Sequence, residues 1–447
     1  MTILKTIAEW RPRVPFYYGW LILAMSAVGT YAATGATQLV IGGVQNFIFE
    51  DMGWERSTIA YAVTAGTWVS GLLTPFVGRL ADRYGPRGLM PLAAFIAGGC
   101  FFALAGIQAV WQFYIAYIIA RAIANPMLVG VVPRTTAVNF FSRRRNLALG
   151  ISAMARPFGG AINIQIFSLI AIATSWRTAF QVHGAISLLI VIPLLLIMRR
   201  RPSDIGLRPD GAPVTPARRR TGGNQSASEP STARSEPARR ESDRLDNDPP
   251  EANWRAGEAA RTSAFWLIVA AEALVILISG TINYQIVPYL RDVGISPAVA
   301  AGALSVSSLI GSLGNPFWGW LADIFSPRRL ALLTLSISGA AVALFVVVPE
   351  GRLSVGVVVL YGTLAGGLNI LGHMMIAQYF GRSSFGAITG LMGPFQTGAL
   401  GLGPTLGALL YRITGGYRSI YLFGVLSYIL ALGCILAARQ PNKKILE

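Results

Sequence analysis

Charge is scarce in this chain, and acidic charge is the scarcer kind. Only 13% of the 447 residues are charged while 53% are hydrophobic, and 20 acids face 37 lysines and arginines. A soluble domain of this length has no use for so much apolar surface, so the bilayer is the expected solvent. The two cysteines, Cys100 and Cys434, sit far apart in apolar runs, which argues against a disulfide framework. Two histidines, His183 and His373, make no metal-ligand cluster. There is no P-loop and no nucleophile–base pair, so neither an enzyme nor a cofactor is expected. A net charge of +17 would suit a nucleic-acid partner. The arginines, however, gather in short clusters between apolar runs, a distribution that follows the positive-inside rule and speaks against such a partner.

What is present is a series of long apolar runs. A helix crosses about 30 Å of hydrocarbon in about 20 residues. That rule predicts an all-α membrane protein with twelve spans: 17–46, 57–78, 88–108, 111–138, 146–172 and 178–198, then 264–290, 297–320, 329–348, 354–378, 385–411 and 418–438. The first run is too long for a signal-peptide core and reads as an uncleaved span. Residues 1–198 and 263–447 are thus two six-helix bundles. The segment 199–262 between them, rich in Pro, Ser, Arg and acids, is expected to be largely disordered except at its edges. Arg79, Arg83, Arg87, Arg143 to Arg145, Arg328, Arg329, Arg382, Lys443 and Lys444 fall on one side. Glu50, Asp51, Glu55, Asp292 and Glu350 fall on the other. Both termini and the linker are therefore expected in the cytoplasm.

The halves repeat. "FEDMGWERSTIA" at 49 pairs with "LRDVGISPAVAA" at 290, and "GRLADRYGPR" at 78 with "GWLADIFSPR" at 319, both at an offset of 241 residues. "NFFSRRRNLALG" at 139 pairs with "QYFGRSSFGAITG" at 378. A parallel six-span repeat implies a pseudo-two-fold axis along the membrane normal and a site at midplane between the halves.

"GRLADRYGPR" closely resembles the loop motif between spans two and three of the major facilitator superfamily, through Gly78, Asp82, Arg83, Gly85 and Arg87. The resemblance implies a cytoplasmic gate latch built around Asp82, with a second copy at Gly319, Asp323 and Arg328. Physically, the carboxylate can cap a helix N-terminus or pair with a loop arginine. "YYGW" at 17, "NFFSRRRNLALGISA" at 139 and "RPSDIGLRPDG" at 201 resemble the monocarboxylate-porter branch, which includes oxalate/formate antiporter relatives. The chain departs from that branch where an arginine often occupies span eight: here Asn315 stands in "SLGNPFWGW". The lysines of some relatives in spans one and eleven are absent too, so the branch's substrate is not carried over.

The charges within the spans suggest where a substrate would sit. Arg121 and Arg156 each lie roughly 15 Å deep, from opposite faces of one half. Two midplane guanidiniums repel unless an anion or a carboxylate lies between them, so the N-terminal half is expected to supply the cation that span eight lacks. Guanidinium suits this because it grips a carboxylate or phosphate bidentately. Arg156 and Asn163 share a helical stripe, as do Arg121 and Asn125. A structural pairing for either arginine is the alternative. Glu272, about 12 Å inside span seven, is the candidate proton carrier, or else a partner for Arg121 or Arg156. His373 is a second candidate for proton coupling or for substrate binding, and Asn369 lies one turn from it. Tyr31, Gln38, Asn283 and Gln396 complete the polar positions that line a cavity or bond between helices. His183 is assigned to packing.

The sequence therefore predicts a secondary transporter of a small organic anion, a carboxylate, working by alternating access as a monomer, with protons and the bilayer as its other partners. Symport with H+ leads, and anion exchange follows. A proton-driven exporter of an amphiphilic or aromatic compound is the first alternative, and "ARPFGG" and "GPTLGA" partly resemble a motif of drug/proton antiporters. A non-transporting receptor or scaffold is the second. The preference for Arg over Lys, with many Ala and Gly residues, points to a bacterial inner membrane.

Overall fold

The structure is a computed structural model that describes residues 12, 14–54, 56–211, 254–347 and 352–441. Among the described residues the chain forms twelve helical rods. In the N-terminal half, α1 comes in two pieces, Tyr18–Thr34 and Gln38–Met52, followed by α2 (Arg56–Tyr84) and α3 (Pro86–Ala105). Next, α4 runs over Val110–Ala124, a π-helical turn Asn125–Gly130 and Val131–Phe140, before α5 (Arg145–Ala173) and α6 (Trp176–Ile197). The C-terminal half holds α7 (Ser263–Asp292), α8 in two pieces (Pro297–Leu313 and Asn315–Ile324) and α9 (Pro327–Val347). It closes with α10 (Arg352–Phe380), α11 (Phe385–Thr414) and α12 (Arg418–Ala437). Among the described residues, each of the twelve predicted spans holds one of these rods, in the predicted order.

Local chemistry sets several boundaries. Gly85 takes φ +73° between α2 and α3, a conformation that costs glycine little, and Pro86 then starts α3 with φ preset for a helix. The Ser175 hydroxyl accepts from the Thr178 amide at 3.1 Å and caps α6. Among the described residues, seven rods carry an unbroken apolar window long enough to cross a bilayer. The helices α1 and α8 are split, and α2 and α11 dilute their hydropathy with Gly, Ser and Thr.

Those polar and small residues lie where the halves meet. Helix α2 packs along α11, and α5 along α8. The pseudo-two-fold relation exchanges the two pairs, because α2 corresponds to α8 and α5 to α11. Large apolar side chains such as Phe76, Phe95, Leu169 and Leu422 point outward into what would be lipid.

The linker edges are docked on the face that carries the basic loops. Residues Pro202–Ile205 and Pro209–Gly211 form short 3-10 turns. Asp210, at φ +60°, accepts the amides of Ser142 at 3.0 Å and Arg143 at 2.7 Å. At the far edge the Trp254 amide donates to Phe380 O at 3.3 Å, with the indole buried. The rest of the linker, 212–253, where disorder is expected, lies outside the described residues, as do Glu55, Glu350, Lys443 and Lys444.

Candidate functional site

Two repeat-related carboxylates join the halves at the basic face. Asp82, near the end of α2, accepts the amides of Gly386 at 3.0 Å and Ala387 at 2.7 Å, the first residues of α11. Asp323, at the same position of the second copy on α8, accepts those of Asn146 at 3.0 Å and Leu147 at 3.1 Å at the start of α5. Each carboxylate satisfies two orphan N–H groups and lies at the positive end of a helix dipole. Gly78 and Gly319 sit one turn before the two acids. A Cβ at Gly78 would collide with the Gly386 backbone, and one at Gly319 with the Asn146 backbone.

The motif arginines have different surroundings. Arg83 lies over the Tyr84 ring at 5.4 Å, and it is Arg200 that donates to Asp82 O, at 2.8 Å. Arg87 is the second residue of α3 and has an interaction of its own. Arg328 departs from its expected place in the gate. It donates to Ile435 O at 3.2 Å and Leu436 O at 2.6 Å, so it caps the end of α12 inside its own half.

Above this floor lies a cavity of about 480 Å³ between the halves. The N-terminal half lines it with Arg121, Asn125, Arg134 and Arg156, and the C-terminal half with Ser279, Asn283, Asn315, Tyr361, His373 and Gln396. Arg121 is buried and reaches Ala36 O at 3.3 Å, at the break in α1, a carbonyl it shares with the Tyr117 hydroxyl at 3.0 Å. Asn125 donates to Ser70 Oγ at 2.8 Å. Arg156 stands on the cavity wall with its side chain accessible, and no protein group among the described residues takes its hydrogen bonds.

Arg134 is the residue that sequence reasoning missed. Its Nη1 lies 2.6 Å from His373 Nε2 across the interface between the halves. Behind His373, its Nδ1 faces Glu272 Oε1 at 3.4 Å, and Glu272 Oε2 accepts from Gln396 Nε2 at 2.5 Å. Glu272 is thus paired with His373 and Gln396 rather than with Arg121 or Arg156. Arg134 sits six residues before the end of α4, about 9 Å inside the helix, which is deeper than a loop arginine and was the available signal.

Two expected site residues lie elsewhere. Asn163 is fully buried and donates to Tyr31 O at 3.0 Å and Thr34 Oγ1 at 2.5 Å, so it ties α5 to α1. Tyr31 packs toward His183 with ring centroids 5.9 Å apart, also away from the cavity lining. Both are held by packing between neighbouring helices of one half. The side chains of Gln38 and Asn369 fall outside the described residues. His183 is enclosed by Phe101 and Phe167 and bonded to Ala32 O at 3.0 Å, in keeping with a packing role.

Comparison with known proteins matches the chain to the family model of the Major Facilitator Superfamily over residues 19–284 and 268–446. The chain belongs to the major facilitator superfamily. It is therefore a multi-pass membrane transporter and not an enzyme. It is 23% identical over 317 residues to the oxalate:formate antiporter of Oxalobacter formigenes, covering 68% of this chain and 66% of that one. It is 22% identical to monocarboxylate transporter 13 of Bos taurus, covering 90% and 85% respectively. The solved structure of the transporter FucP in the outward conformation superposes with a TM-score of 0.67 at 12% identity, covering 95% of this chain and 100% of that chain. At that identity the superposition speaks to the fold.

Proposed function

We propose that this major facilitator carries a small organic anion, a carboxylate, by alternating access, together with a proton. The observation that carries the reading is Arg156. A guanidinium keeps its charge and is costly to bury, yet this one faces the central cavity without a protein partner among the described residues. Arg121 and Arg134 line the same cavity, so the wall offers three positive charges to whatever enters. An anion that bridges Arg156 to the polar C-terminal wall would satisfy these donors and draw the halves together. The names of the relatives, an oxalate:formate antiporter and a monocarboxylate transporter, support a carboxylate.

In this reading the basic face is cytoplasmic, and the Asp82 and Asp323 caps are the contacts that break when that face opens. His373 and Glu272 carry the proton, with Asn283 and Gln396 as polar contacts on the C-terminal wall. The protein works as a monomer in a bacterial inner membrane.

Thermal unfolding of the purified protein against oxalate, lactate, succinate, a sugar phosphate and neutral aromatic compounds tests the reading. A carboxylate at about 100 times its Kd adds roughly 2.7 kcal/mol to wild type. The same compound leaves Arg156→Gln unchanged. Equal stabilisation of both proteins by a neutral amphiphile would contradict the assignment.

A further inference from the structure

The bond between Arg134 and His373 has only one possible polarity. A guanidinium donates and cannot accept, so His373 Nε2 is the acceptor and carries no proton. The ring proton then lies on Nδ1, toward Glu272 Oε1. Arginine, neutral imidazole, carboxylate and the Gln396 amide form one row, buried at its centre and half-buried at its ends, that starts on the N-terminal half and ends on the C-terminal half. His373 is 3% exposed and Glu272 7%, so neither has water as an ample alternative partner.

We infer that His373 is a proton site at which the incoming proton displaces Arg134, so that proton uptake releases a third guanidinium to the transported anion. A proton taken from cavity water onto Nε2 sets N–H against N–H and cation against cation, and the Arg134 contact cannot survive it. The imidazolium stays beside Glu272, its opposite charge in the same half. Arg134 already lines the cavity with Arg121 and Arg156, and the cavity is where a displaced guanidinium finds an anion. Proton and anion therefore favour each other's binding, and linkage makes the effect reciprocal. Because the lost bond joins the halves, the same exchange loosens the floor of the cavity.

The other groups around His373 leave this account intact. Arg145 of α5 donates to Ala377 O at 3.1 Å, one turn toward the basic face. Arg156 of α5 stands across the cavity, and α8 contributes the uncharged Asn315. On the far side of Glu272, α9 contributes Ala331 and Leu335. The carboxylates of Asp82 and Asp323 are committed to helix N-termini.

This inference rests on the anion-transport reading for its second ligand, and the test separates the two. The chain has only two histidines, so 15N-histidine labelling gives two ring signals, assigned with His373→Gln. In wild type in nanodiscs at pH 8, His373 is the Nδ1–H tautomer. At any one lower pH its doubly protonated fraction is larger in Arg134→Gln, and larger in wild type with oxalate, lactate or succinate bound than without. Arg134→Lys, which keeps charge and donor, stays near wild type. Affinity for the stabilising anion rises about 5–150-fold on acidification in wild type and not in His373→Gln.

An Nε2–H tautomer, or an Arg134→Gln protein with an unchanged protonated fraction, overturns the inference. So does an anion that binds equally at both pH values, which leaves the transport reading standing. Stabilisation by none of the anions, with His373 still exchanging Arg134 for a proton, overturns the transport reading instead and leaves the proton exchange in place.

Discussion

Asp82 and Gly386 are 304 positions apart in sequence, and the carboxylate of the first accepts the amide of the second, in the first turn of α11, at 3.0 Å. Asp323 repeats the contact on Asn146 in the other direction. The motif copies are thus two reciprocal clamps, each half holding a helix N-terminus of the other. Replacing either acid with alanine should cost the closed basic face about 0.5–2 kcal/mol, the usual loss for an N-cap. In a background without Cys100 and Cys434, a cysteine at the buried position 152, on the cavity wall, reports opening. Its labelling from the basic face should rise in Asp82→Ala and Asp323→Ala and rise further in the double variant. Flat labelling across the series would remove the clamps from the account.

Gly78 tests the same closure by shape alone. Its missing Cβ is what lets α2 lie against the backbone of Gly386. Gly78→Val retains every charge of the clamp and should still raise labelling at position 152. A valine protein as closed as wild type would mean that the helices can separate without cost.

Asn163 separates a packing residue from a binding residue. It donates to Tyr31 O and Thr34 Oγ1 inside one half. Asn163→Ala should lower stability by about 1–3 kcal/mol, since it strands buried partners, while anion affinity stays at the wild-type value. A selective loss of affinity would return Asn163 to the binding site, where sequence spacing placed it.

The contrast shows what the sequence could and could not reveal. The twelve helices, the two halves and the clamp acids were legible because bilayer thickness and the 241-residue repeat act locally and regularly along the chain. Arg156 was legible because a charge amid "ISAMARPFGG" has no local explanation. Arg134 was hidden because it lies near the basic end of α4, where arginines are expected for orientation alone. Its partner is 239 residues away, and only the docking of the halves makes the pair. The partners of Glu272 and the inward turn of Asn163 depend in the same way on which helix faces which.

Asp210 ties the start of the linker to the loop between α4 and α5. In its left-handed conformation it accepts two amides, from Ser142 and Arg143. Asp210→Ala should speed hydrogen exchange at those two amides and at 202–211 while leaving exchange in α7–α12 as it was. Unchanged exchange at Ser142 and Arg143 would show that other contacts hold the segment.

Uptake by proteoliposomes decides whether Arg156 binds a transported anion. The anion that stabilises the purified protein is supplied outside, with and without an inward proton gradient, to wild type and to Arg156→Gln. Accumulation should depend on the proton gradient in wild type and be absent in Arg156→Gln, although the variant reconstitutes and unfolds cooperatively. Accumulation by Arg156→Gln at the wild-type rate would contradict that role for Arg156.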